Sequence, residues 1–120
     1  MGTNSTLAKQ SIELSVEIVG FYKWLTYEKK EFVMSKQVLR SGTSIGSNIH
    51  EAYYAISRPD FIAKMQIALK EAAETQYWLI LLERTGYWDE KFQSIKLRNT
   101  DIKRMLIATL NTSKQEKTKN

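Results

Sequence analysis

From Gln37 to Leu82 the chain sets a segment crowded with small residues against one rich in Ala, Leu and Glu, with the only proline of the sequence, Pro59, between them. No other feature limits the fold as much. Both segments repeat their apolar residues at three- and four-residue spacing, as helices buried on one side do. Ser41, Gly42, Thr43, Ser44, Gly46, Ser47 and Asn48 are poor formers of a helix interior. Their size explains their presence, because small side chains let a neighbouring backbone approach closely. If the two helices fold back around Arg58, residues equidistant from that turn share a height. Ser44 then lies level with Ala72, and Ser41 with Thr75. The same register brings Arg40 near Glu74 and Glu51 near Lys64, which are read as structural pairs between helices.

Four periodic segments are predicted, at about 5–28, 32–56, 59–85 and 89–110, in one domain spanning 1–120. The first carries Leu7, Leu14, Ile18, Phe21 and Leu25 on one face. The second carries Met34, Val38, Ser41, Ile45, Ile49, Ala52 and Ile56. Pro59 suits the first turn of the third helix, and Asp60 suits its positive end. Phe61, Met65, Ala68, Leu69, Ala72, Leu79 and Leu82 form that helix's buried face, and Gly86 closes it. Asp89 can cap the fourth, whose stripe is Phe92, Ile95, Ile102, Leu106 and Leu110. Residues 111–120 read as a polar tail that frays. Long helices with short connections imply an all-α, antiparallel up-down-up-down four-helix bundle.

Function classes are narrowed by what the chain lacks. Its 120 residues are enough to bury roughly two-thirds of the unfolded surface. Without cysteine there is neither a disulfide nor a thiolate nucleophile, and a cytoplasmic setting is expected. No apolar run reaches the ~18 residues of a membrane span, and the first residues do not resemble a secretion leader. Met1-Gly2 with Thr6 fits a myristoylation pattern only formally. A single histidine, His50, excludes the paired Glu-x-x-His motifs of a bundle di-metal site. Glu71 and Glu74 stand one turn apart, but Arg40, Lys64 and Lys70 offer them plain salt bridges. Gly42-x-x-x-Gly46 is mid-helix and follows no strand, so it is no phosphate loop. No catalytic residue, metal or cofactor is expected, and the chain is read as no enzyme.

The pattern Gln37-x-x-Arg40, Ser44-Ile45-x-x-Asn48-Ile49-x-Glu51, then Asp60-Phe61, Ile67-Ala68, Glu71 and Glu74 resembles the four-helix bundle family of 23S rRNA intervening-sequence proteins. The resemblance spans nearly the whole chain and extends to the accessory protein of diversity-generating retroelements. It implies a bacterial, non-catalytic protein that forms a barrel-like homopentamer, for which nucleic-acid binding is proposed. Two positions depart from the pattern. The Pro-x-x-Glu before the second helix lacks its proline around Tyr27 to Glu31, and the Glu-Gly after Asn-Ile is Glu51-Ala52.

Self-association is also indicated by the residues themselves. Ile12, Val16 and Val19 form a second apolar stripe on the first helix, roughly 120–160° from the main one. Leu97 and Ile107 stand off the fourth helix's stripe, and Trp24 adds apolar area of the kind enriched at interfaces. These six residues are the candidate interface of a homo-oligomeric ring. Deep burial of the first helix, or scattered surface apolar residues, is the plainer reading.

The net charge of +5 is concentrated in residues 87–120, where eight basic residues face four acidic ones. Lys91, Lys96, Arg98, Lys103, Arg104, Lys114, Lys117 and Lys119 are therefore the candidate phosphate contacts for RNA or DNA. They flank the apolar stripe on both sides, and no known nucleic-acid-binding motif is present. On charge alone a solvated basic face is an equal reading. The alternative from another class is a protein scaffold that docks a partner through Trp24, Tyr77 and Trp88.

Overall fold

In the computed structural model, which describes residues 6–119 with side chains through Gln115, the chain is all-helical and no strand occurs among the described residues. The elements are α1 (Thr6–Tyr27), α2 (Met34–Ala52), α3 (Arg58–Arg84), a 3-10 turn (Glu90–Phe92) and α4 (Gln93–Lys119). The molecule measures 52 × 22 × 21 Å. Among the described residues α1 packs against α2 and α4, and α3 packs against α2 and α4. The predicted stripes meet in one core: Leu14, Ile18, Phe21 and Leu25 of α1, Ile45 and Ile49 of α2, Met65, Leu79 and Leu82 of α3, and Ile95, Ile102 and Leu106 of α4 are almost wholly buried.

Each helix end has a local cause. Ser57, in extended conformation, accepts from the Asp60 N–H at 3.2 Å and so caps α3, while Pro59 sits in the first turn. α3 closes on Gly86, whose φ of 92° is in the left-handed region. The Gly86 N–H bonds the Glu83 carbonyl and the Tyr87 N–H the Leu82 carbonyl, the two bonds of a Schellman cap. Between α1 and α2, Lys30 takes φ 55°, and Glu31 turns inward. Glu31 accepts from the N–H groups of Val33, Met34 and Ser35 at 3.3, 3.1 and 2.7 Å. A buried carboxylate thus satisfies the open N–H groups of α2 and meets its positive end. This is the turn, around Tyr27 to Glu31, where the resemblance leads one to expect a proline.

Two helix C-termini differ from the sequence reading by more than one residue. α2 stops at Ala52, not 56, because Tyr53, Tyr54 and Ala55 turn back onto the carbonyls three residues earlier and Ser57 must be extended to cap α3. Ile56, placed on the α2 seam, is consequently 94% exposed. α4 does not stop at 110 but continues to Lys119. Asn111 to Lys119 contain good helix formers and neither Gly nor Pro, so nothing there ends a helix, and Ser113 extends the buried stripe.

The small residues of α2 serve two neighbours rather than one. Ser41 accepts from the Thr75 hydroxyl at 2.9 Å in the buried seam with α3. Gly42 and Gly46 instead admit α1. A Cβ on Gly42 would lie 2.8 Å from Ile18 Cγ1, and one on Gly46 would lie 3.3 Å from the Ser11 carbonyl oxygen.

Candidate nucleic-acid interface

The charged residues of the α2–α3 seam form a connected group. Arg40 Nη1 donates to Glu71 Oε2 at 3.1 Å, and Arg40 Nη2 bonds Glu74. The Trp78 indole N–H donates to the same Glu74 carboxylate at 3.1 Å. That indole bond, followed by Arg40, holds the Glu74 carboxyl below its ordinary range, while Glu74 is the main cause of a raised Arg40. Nearer the turn, Lys64 Nζ lies 3.3 Å from Glu51 Oε1. Glu51, Glu71 and Glu74 are each paired with a cation, and Glu51 also accepts from the Ser47 hydroxyl at 3.3 Å. Chemically this group can lock the register of α2 against α3.

The basic residues singled out in the last quarter of the chain are spread over several environments. Arg98 Nε donates to Glu17 Oε1 at 2.6 Å and its Nη1 bonds Gln10, tying α4 to α1. Lys96 pairs with Glu83 and Lys103 bonds Gln76, both tying α4 to α3. Arg104 is three-quarters exposed and pairs with Asp101 of its own helix at 3.4 Å. Lys114 is exposed. The side chains of Lys117 and Lys119 lie outside the described residues, as do Met1 and Gly2.

One end of the molecule gathers aromatic rings from three elements. Phe21 and Trp24 of α1, Trp88 of the α3–α4 connection and Phe92 of the 3-10 turn have ring centroids 4.7–6.2 Å apart. Lysines cover these rings. Lys29 Nζ is 5.2 Å from the Trp24 ring, Lys91 Nζ is 5.7 Å from the same ring and 5.4 Å from Phe92, and Lys96 Nζ is 5.2 Å from Trp88. The structure thus brings Lys91 and Lys96 together with Lys29. Sequence reasoning passed over Lys29, because only the fold places it beside Lys91. Trp24 and Trp88, offered as protein-docking aromatics, are half-buried in this cluster, and Tyr77 packs edge-on to Trp78.

The proposed interface residues do not share one face. Ile12, Val16 and Val19 are exposed along the outer side of α1, at 47, 63 and 37%. Leu97 and Ile107 are both exposed on α4, but ten residues of helix turn them roughly 80° apart.

Two features were not anticipated. Asn99 is buried on the α4 stripe, where its Nδ2 donates to the Ala72 carbonyl at 3.1 Å and its Oδ1 has no partner. At the opposite end from the aromatic cluster, a half-open cavity of about 780 Å³ lies between the α2–α3 connection and α4. Tyr53, Phe61, Arg58 and Thr109 are among its lining residues. Among the described residues no group of three metal-ligating side chains converges, and no helix is long and apolar enough to cross a membrane.

The sequence profile of the 23S rRNA-intervening sequence protein family matches residues 3–108. The chain belongs to that family. This intervening-sequence protein is also similar to a solved structure from Bacteroides thetaiotaomicron, described as a protein of unknown function from the S23 ribosomal protein family. The two are 55% identical with a TM-score of 0.85, over 88% of this chain and 98% of that one. No curated protein matches it.

Proposed function

We propose that this member of the intervening-sequence family is a non-catalytic, self-assembling nucleic-acid-binding protein of the cytoplasm, acting on RNA or DNA in the setting of 23S rRNA intervening sequences. Family membership over residues 3–108 is the observation that carries this reading. The charge distribution supports it: the surplus of residues 87–120 lies on one helix and the turn before it, with Arg104 and Lys114 facing solvent. The fold beneath is an antiparallel up-down-up-down bundle. Glu51–Lys64 near the α2–α3 turn and Arg40–Glu74 far from it support a hairpin. Lys96–Glu83 and Lys103–Gln76 support the same for α3 and α4.

Assembly uses the outer apolar stripe of α1. A helix whose Val16 is 63% exposed opposite a fully buried Ile18 has two apolar faces and one core to fill. We place a second copy on that stripe, closing a ring that multiplies the basic surface; a pentamer is the form the family resemblance implies. The test is native mass by light scattering, followed by mobility shift of structured RNA and duplex DNA at low and high salt. A discrete oligomer that shifts nucleic acid only at low salt supports the reading. A monomer, or an oligomer that shifts neither, rejects it.

A further inference from the structure

The aromatic end of the molecule holds two ammonium groups where the protein gives them no anion. Lys29 and Lys91 come from different elements, yet both lie over the one Trp24 ring, at 5.2 and 5.7 Å. Both are exposed, and among the described residues neither has a carboxylate within salt-bridge reach. Lys96 over Trp88 is different, because Glu83 neutralises it. The ring's face attracts each cation, but two like charges directed at one ring repel each other. An anion arriving between them removes that repulsion. The Trp24 ring is half-buried against Phe21 and Phe92, and the two flexible lysine stems lie over it. Tyr27, the last residue of α1, and Phe32 of the connection that follows, exposed at 71 and 54%, supply further ring faces at the same end.

We propose that this end is a stacking site for single-stranded nucleic acid. A nucleotide of a single strand places a flat base on Trp24 and a phosphate between Lys29 and Lys91. Both needs are met by one ligand, whereas a duplex keeps its base faces stacked inside. Free phosphate would satisfy the lysines but not the ring. The site rests on the nucleic-acid reading above and specifies the strand form and the residues.

The test uses the full chain and a labelled single-stranded RNA of roughly 15 nucleotides, the upper range of such sites, with a duplex of equal length as competitor. Four proteins are compared: wild type, Lys29→Glu/Lys91→Glu, Trp24→Phe and, as a control elsewhere on the basic surface, Lys103→Glu/Arg104→Glu. Circular dichroism melts verify that each is folded. The site predicts tighter binding of the single strand than of the duplex, with quenching of tryptophan fluorescence that Trp24→Phe abolishes. It also predicts an affinity loss of about tenfold or more in the Lys29/Lys91 variant, larger than in the control, because two phosphate-facing cations become anions. Salt-sensitive binding by wild type that the Lys29/Lys91 and Trp24 variants retain in full overturns the site and leaves the nucleic-acid reading standing. No binding by wild type overturns both.

Discussion

Gly42 lies so close to Ile18 that a single methyl group on the glycine would come within 2.8 Å of Ile18 Cγ1. Ile18 is fully buried and branched at the contact, so it has nowhere to move. α1 and α2 are therefore held at a separation that only glycine allows.

Gly42→Ala sets two effects against each other. Alanine returns about 1 kcal/mol of helix propensity, while overpacking a filled core costs about 1–3 kcal/mol. The net expectation is destabilisation, read as a lower urea midpoint at unchanged slope. Ile18→Ala removes the obstructing atoms, so the double variant should be more stable than the sum of the single losses implies, by about 1 kcal/mol. A Gly42→Ala protein as stable as wild type would contradict the close approach.

The Glu74 carboxyl is held low by the Trp78 N–H and by Arg40. A carboxyl lowered by folding adds stability that is full above its ordinary value of 4.5 and is lost as pH falls through the lowered one. Glu74→Gln should thus cost stability at neutral pH, and the gap to wild type should close in acid. With Arg40 half-exposed, about 1 kcal/mol is the scale. Thermal melts from neutral to acid pH measure it; a gap independent of pH would contradict the coupling.

Asn99 leaves its Oδ1 buried and unpartnered. Leucine there removes the orphan, while the Ala72 carbonyl, mid-helix in α3, keeps its place in the helix's own ladder. Orphaned buried polar groups cost about 1–3 kcal/mol, so Asn99→Leu should raise the melting temperature. A lower one would show that the Asn99–Ala72 bond outweighs the unpartnered oxygen.

Val16→Glu puts a charge in the middle of the outer α1 stripe without touching the core, since Val16 is 63% exposed. The assembly reading predicts a fall in native mass by light scattering with helicity retained. An unchanged mass would place the interface elsewhere.

The helices and their core faces were legible because apolar periodicity is local and strong, and the register of Arg40 with Glu74 followed from counting residues out from one turn. The direction of the small residues was only half legible. Ser41 indeed meets Thr75, but a glycine carries no polarity to say which neighbour it admits, and Gly42 and Gly46 face α1. The extent of α4 was obscured because its polar end looks like a tail, although it lacks a stop residue. The pairing of Lys29 with Lys91 on Trp24 depends on two connections, α1–α2 and α3–α4, meeting at one end, which no local pattern encodes.

The central claim is that the protein binds nucleic acid through its cations. The direct measurement is the affinity of the intact protein for a single-stranded RNA, by fluorescence anisotropy across a salt series. The account predicts that log K falls steeply with log salt, with a slope of about −2 or steeper, as several released counterions require. Binding that is flat in salt, or none at the lowest salt, would contradict it.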